Sequence, residues 1–473
     1  MDEHTPLIIS NEYTEIYRRL PFKLQVAYGI GHVLNDVCAS MWFTYLLVFF
    51  NLVLKFTSAQ AGLILLVGQV ADAIATPFVG YHSDQPDNFW FCCCGRRKAW
   101  HFFGTICVIA TFPFIFLPCL NCEHSSTEAQ LFYYSLFVII FQFGWAAVQI
   151  SHLSLIPELT PNEHDRTKLT AVRYGFTVFS NVLVYLITWY YLHIGTGSNS
   201  QIGPDDAPKF QNVVIYGMGV GITCSILFHI FVKEENGYTG NNVRGGVPRS
   251  SISDLLCSMK LYQVAVVYMS TRLFVNLSQI FIPLYLHESL NMAASALALI
   301  PLIMFIGSFL TTFIIEFMNR TIGRRISYIS GGIIGIVGCA MVRFRYGEDF
   351  INYDIYVVAI LFGAANSIIL VTSLGITVDL IGDKSGSVAF VYGVMSFCDK
   401  LANGIAVVII QDFHTDASSS QYYRDIVSYV CGGSALLGIL GVLSLKRMRE
   451  SIAQNVPNYN SINAEANNST SSS

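Results

Sequence analysis

The residues of this chain that could do chemistry are ionisable and amide side chains set at helical spacing inside long apolar runs. His32, Asn35 and Asp36 fall within one helical turn and so share a face; Arg272, Asn276 and Gln279 repeat that arrangement later in the chain. Asp72 lies in an apolar run from Ala61 to His82, with Thr76 one turn on. Gln142, Gln149 and His152 line one side of another run, Arg173 opens a further one, and Lys400 with Asn403 sits in a late one. Charge in hydrocarbon is costly and usually marks a substrate or ion pathway. Arg173 or Arg272 offers a planar, permanently charged fork for a carboxylate, and Asp36 with Asn35 could receive an ammonium group. This is the chemistry of recognising a small zwitterion, with Met41, Trp42 and Phe43 as candidate apolar walls. The plainer alternative is that these side chains only join helices to one another. It weighs most on Asn35, Gln142 and His152, and least on Asp36, Asp72, Arg173, Arg272 and Lys400.

The elements that must position these residues are membrane helices. Of 473 residues, 53% are hydrophobic and 12% charged, against about 25% charged in soluble domains. Spanning-length apolar runs occur at about Phe22–Phe50, Ala61–His82, Ala99–Pro118, Gln130–Ile156, Leu169–His193 and Phe210–Val232. Six more follow at about Leu261–Leu286, Met292–Met318, Ile326–Val342, Ile355–Leu374, Val388–Gln411 and Asp425–Leu445. The expectation is an all-α membrane protein of twelve transmembrane helices in two six-helix, pseudo-symmetric halves, residues 22–232 and 261–445. A tail (1–21), a linker (233–260) and a polar, disordered tail (446–473) complete it, all cytosolic. Placing both termini in the cytosol puts 19 of the 27 Lys and Arg residues there. Five (Lys55, Lys209, Arg343, Arg345, Arg424) lie opposite, and three (Arg173, Arg272, Lys400) lie within helices. On that topology Asp72 lies about 17 Å along its helix, near the middle of a ~30 Å core.

The halves resemble each other. At an offset of 240 residues Tyr28 meets Tyr268, Asp36 meets Asn276 and Tyr45 meets Tyr285. At a different offset, Gly95-Arg96-Arg97 reappears as Gly323-Arg324-Arg325. Parallel repeats of this kind place a substrate site between the halves near the midplane, so the reading is a rocking, alternating-access carrier. Asp84, Arg96, Arg97, Glu158 and Asp379 fall at cytoplasmic helix ends, where charge networks would gate it. A lone carboxylate at Asp72 would take up a proton more readily than one in water and could couple transport to protons. The alternative is a structural ion pair with Arg173 or Lys400. No motif calls for a cofactor, a metal or an enzymatic reaction, and nothing suggests nucleic acid. Cys119 and Cys122 could pair in an oxidising compartment, and Cys92-Cys93-Cys94 could be palmitoylated.

Gly80-x-x-x-Asp84 followed by Gly95-Arg96-Arg97-Lys98 resembles the loop motif of the major facilitator superfamily, split by an insert. Tyr28–Asp36 (YGIGHVLND), Val70–Gly80 (VADAIATPFVG), Ser154–Leu169 and Ser396–Gly404 (SFCDKLANG) resemble its melibiose-permease-like branch, the glycoside-pentoside-hexuronide:cation symporters. The resemblance implies that Arg173 and Lys400 face the central cavity. Departures stand beside it: His32 and Gln149 replace acidic residues of that branch, and Thr76 replaces the second carboxylate of its cation site. They put sugar recognition and sodium coupling in doubt. Narrower stretches, among them Asn35–Leu47, Phe141–Leu159, Thr271–Gln279 and Ala389–Gly404, resemble a lysosomal and melanosomal group of the superfamily. That likeness, covering about Phe22 to Leu445, implies import of cysteine from the cytosol.

Glu3, Leu7 and Ile8 fit the acidic dileucine signal read by sorting adaptors, which agrees with lysosomal or melanosomal membranes, with the plasma membrane as the alternative. A monomer is expected. Two other functions stay open: a non-transporting sensor or scaffold, and a carrier of another small solute or a lysophospholipid.

Overall fold

The computed structural model describes residues 20–84, 95–120, 125–160, 162–194, 201–234, 259–381, 388–414 and 420–445. Among these are twelve helices long and apolar enough to cross a membrane. The first six are α1 Phe22–Val53, α2 Ser58–Ser83, α3 Arg96–Ile115, α4 Thr127–Leu159, α5 Lys168–His193 and α6 Pro204–Phe231. The second six are α7 Leu261–Ser289, α8 Ala296–Thr321, α9 Arg324–Phe344, α10 Phe350–Thr377, α11 Val394–Asp412 and α12 Tyr422–Ser444. Helices are what hydrocarbon permits, because each backbone N–H and C=O is satisfied within its own segment. Several begin earlier than their apolar runs. The helix containing α5 starts at Glu163 and α3 starts at Arg96, because a polar first turn can stand outside the hydrocarbon while keeping its backbone bonds.

The internal repeat extends to backbone detail. α1 and α7 each end in a π-helical turn, Phe49–Val53 and Tyr285–Ser289, and each is followed by a non-glycine residue in the left-handed region, Lys55 (φ 59°) and Asn291 (φ 49°). Both pairs are separated by 236 residues. α3 and α9 both start directly after a glycine at positive φ, Gly95 (104°) and Gly323 (83°), a conformation that a Cβ disfavours.

α1 and α7 stand at the centre, and α1 is the most deeply buried span. Within the first half α3 packs on α4, and α1 on α5 and α6; within the second, α8 and α9 pack on α10, and α7 on α12. Three seams join the halves: α1 with α7, α2 with α11, and α5 with α8. Small residues bring helices close. A Cβ added at Gly104 would lie 2.7 Å from the Gly144 carbonyl oxygen, and one at Gly144 would lie 2.8 Å from that of Gly104, so α3 and α4 touch through their backbones.

Away from the Arg- and Lys-rich helix ends, bonds cross between halves. Tyr45 donates to the Leu297 carbonyl (3.3 Å), and Ser58 bonds His414 Nδ1 (2.8 Å), whose Nε2 lies 3.2 Å from Glu288. At the basic end bonds form within each half. Arg97 pairs with Glu158 (3.0 Å) and donates to the Ser154 carbonyl, while Arg324 and Arg325 donate to the carbonyls of Gly375 and Val442. Glu234 accepts from the backbone N–H groups of Arg97 and Lys98 at 3.3 and 3.0 Å, a carboxylate at the positive end of α3.

Candidate functional site

A tightened turn in α1 carries the first set of functional side chains. The helix tightens to a 3-10 turn over Ile30–His32 before resuming at Val33. One glycine precedes that turn and one lies inside it because neighbours press on it: a Cβ at Gly29 would meet Phe176 of α5 at 2.7 Å, and one at Gly31 would meet Phe228 of α6 at 2.5 Å. This close approach brings α5 onto the face carrying His32 and Asp36. Arg173 Nη2 lies 3.0 Å from His32 Nε2, His32 Nδ1 lies 2.9 Å from Asp36 Oδ1, and Thr177 donates to Asp36 Oδ2 at 2.9 Å.

The second set spans the α2–α11 seam. Lys400 Nζ lies 2.6 Å from Asp72 Oδ1 and donates to Thr76 Oγ1 at 2.7 Å, while Thr76 donates to Asp72 at 3.0 Å. The ammonium also stands 5.9 Å from the Trp145 ring centroid, within cation–π reach. Of the two states open for Asp72 in sequence, proton-binding carboxylate or ion-pair member, the structure contains the pair, and its partner is Lys400. Beside it, Trp42, Phe43, Gln69, Phe141, Gln142 and Trp145 enclose a space of about 10 Å³, room for about one water. Met41 is buried in the hydrophobic core.

Asp399, adjacent to Lys400, turns about 100° further around α11 and belongs to a third set. Its Oδ2 lies 3.5 Å from Arg272 Nε of α7, and Asn403 donates to its Oδ1 at 2.7 Å. Arg272 also donates to Tyr268 at 3.3 Å and lies 5.5 Å from that ring's centroid. Each set combines one carboxylate with one cation, Asp36 with Arg173, Asp72 with Lys400 and Asp399 with Arg272. Between the halves, Gln279 donates to Thr44 (3.2 Å), which bonds Tyr185 (2.7 Å).

Other candidates are occupied by helix joining. Asn35 donates to the Trp145 carbonyl at 2.9 Å. His152 and Tyr28 exchange bonds with each other's backbone carbonyls at 2.8 and 2.9 Å, and their rings stack at 4.2 Å. Gln149 and Asn276 are half-buried and form no hydrogen bond among the described residues. The Asp84 and Asp379 side chains, and Glu3, Leu7 and Ile8, lie outside the described residues, as do Cys92, Cys93, Cys94 and Cys122; Cys119 is disulfide-bonded.

Sequence reasoning missed Asp399, Tyr268 and Thr177 as parts of these sets, and Glu234 as the carboxylate at α3. Asp399 had a usable signal, an acid beside a lysine inside an apolar run. Thr177 had none, since threonine is common in membrane helices.

The chain resembles known proteins along most of its length. The family described as MFS/sugar transport protein matches residues 27–447. The chain is 42% identical to Major facilitator superfamily domain-containing protein 12 of Mus musculus over 453 residues, and 43% identical to that of Homo sapiens over 457; each alignment covers 90% of this chain and 94% of the relative. A shorter likeness, 31% over 157 residues, covers 33% of the chain and 30% of the mouse sphingosine-1-phosphate transporter MFSD2B. Among solved structures, the inward open conformation of the xylose transporter XylE from E. coli superposes with a TM-score of 0.66 over 89% of this chain and 96% of that one, at 12% identity.

Proposed function

The chain belongs to the MFS/sugar transport protein family of the major facilitator superfamily, secondary transporters of small solutes, and on that premise we propose that it carries cysteine from the cytosol into lysosomes and melanosomes. The observation that carries a zwitterionic substrate is the charge balance of the three sets. Each holds one cation and one carboxylate, so a ligand with one of each can exchange partners with the site without adding net charge to a low-dielectric interior. Arg173 and Arg272 are the candidates for its carboxylate, and Asp36 or Asp399 for its ammonium. Trp42, Phe43 and Trp145 supply apolar walls, which favour a thiol over a hydroxyl because the hydroxyl loses more on leaving water. The basic end faces the cytosol in this reading, which the Lys and Arg distribution supports. The lysosomal and melanosomal address rests on the sequence likeness and on the Glu3, Leu7 and Ile8 signal.

Counterflow of labelled cysteine in proteoliposomes tests it. Saturable exchange is expected, and a weakened affinity in Arg173→Lys or Arg272→Lys at normal protein level, because lysine cannot reproduce the bidentate fork. No saturable exchange in the wild type would refute the reading, and exchange of a lysophospholipid in place of cysteine would transfer it to a lipid substrate.

A further inference from the structure

Hydrogen-bond polarity fixes the protonation state of His32. A guanidinium can only donate, so His32 Nε2, 3.0 Å from Arg173 Nη2, must accept. The ring's one proton then sits on Nδ1, which lies 2.9 Å from Asp36 Oδ1. Arg173 therefore holds His32 neutral, although the carboxylate that would stabilise its cation is already beside it. Arg173 itself is only half-buried, and its Nε has no hydrogen-bond partner among the described residues. A guanidinium with an unused donor, resting on a neutral imidazole, would be drawn to any carboxylate in reach, since charged acceptors bind it about twice as strongly.

We propose that a substrate carboxylate draws Arg173 away from His32, and that His32 takes up a proton on the Nε2 atom so released, so that substrate binding and protonation are one linked event. The inference rests on the carboxylate-binding reading above. In the structure Arg173 and Asp36 stand at the two ring nitrogens of His32. With Arg173 on the ligand's carboxylate and the ammonium on Asp399, Asp36 has no cation beside it unless His32 becomes one. One proton enters from water, and no covalent bond between heavy atoms changes.

The other titratable groups around His32 are tied to different tasks. Tyr28 and Asp36 face it from α1, His101 from α3, His152 from α4 with ring centroids 5.5 Å apart, and Arg173 from α5. Behind His101 stand His229 of α6 and Lys98, whose Nζ donates to the His229 carbonyl. His101 Nε2 must donate to the Gly31 carbonyl at 3.1 Å, so its Nδ1 accepts from His229 Nε2, also at 3.1 Å. Protonating His101 would set two N–H groups against each other unless His229 moved its own proton to Nδ1. His152 donates through Nε2 to the Tyr28 carbonyl, and its Nδ1 has no hydrogen-bond partner among the described residues that could hold a second proton. Within this cluster His32 is the imidazole with a carboxylate at hydrogen-bond distance.

Calorimetric titration of the purified full-length protein with L-cysteine, in two buffers of different ionisation enthalpy near pH 7, counts protons taken up per ligand bound. Net uptake is expected in the wild type. Titration with cysteamine, which lacks the carboxylate, should show none. Whatever binding His32→Gln retains should carry no proton. If that variant does not fold, the wild type still decides: affinity for cysteine should rise with falling pH, by up to tenfold per pH unit, as one linked proton requires. Binding without proton uptake, or uptake that persists in His32→Gln, would overturn the inference while leaving the cysteine reading intact. No cysteine binding at all would overturn both.

Discussion

Asp72→Asn should destabilise the protein, and neutralising Lys400 as well should restore most of what is lost. The two charges lie 2.6 Å apart, with side chains 6% and 13% exposed. At an effective dielectric of ~20 their attraction is about 6 kcal/mol, offset by the several kcal/mol that each ion loses on leaving water. The net worth of the pair is therefore small. Removing one member is different, because it leaves a buried charge without its counter-ion, at about 3–5 kcal/mol. Lys400 keeps the Thr76 hydroxyl at 2.7 Å and the Trp145 face at 5.9 Å. The lower end applies, about 3 kcal/mol, or on the order of 100-fold in the folded-to-unfolded ratio. Thermal unfolding in detergent at fixed pH, run as a cycle over Asp72→Asn, Lys400→Met and the double variant, measures this directly. Both single variants should melt lower than wild type, and the double variant should lie closer to it than either. A single Asp72→Asn within about 1 kcal/mol of wild type, or a double variant no better than the singles, would refute the ion-pair argument. An Asp72 that handles protons would instead leave stability nearly unchanged and abolish the pH dependence of transport.

Replacing sodium by choline should leave uptake unchanged, because the Asp72 oxygen that would ligate the ion already holds the Lys400 ammonium, and Thr76 brings no second charge; clear sodium stimulation would contradict this. Gly104→Ala should lower thermal stability by about 1–3 kcal/mol through overpacking against the Gly144 carbonyl at 2.7 Å, whereas Gly175→Ala, with nothing within 4 Å, should be neutral or slightly stabilising in the same melting assay. Glu288→Gln removes the carboxylate 3.2 Å from His414 and should loosen the closure opposite the basic end. Labelling of Ser58→Cys by a membrane-impermeant thiol reagent applied to that side should then quicken, and an unchanged labelling rate would count against a gating role.

What the sequence determined by itself is what the bilayer imposes residue by residue. Hydrocarbon forces long apolar helices, so twelve spans in two halves were legible from composition and run length. The repeat was legible because Tyr28, Tyr45 and the Gly-Arg-Arg turn recur. The intramembrane charges were legible because burying them is costly wherever they end up. Only the tertiary structure decided which charge meets which. Asp72 had Arg173 and Lys400 as equal candidates in sequence, and the α2–α11 seam selects Lys400. Asp399 and Lys400 are neighbours in the chain, yet a 100° turn of the helix sends one to α7 and the other to α2. Asn35 and His152 already carried the helix-joining alternative most heavily in sequence, and packing decided which backbone carbonyls they reach. The physical reason is that hydrophobic insertion depends on each segment's own composition, whereas ion pairs and hydrogen bonds depend on distances of a few ångströms between segments far apart in the chain, and those distances are set by helix packing.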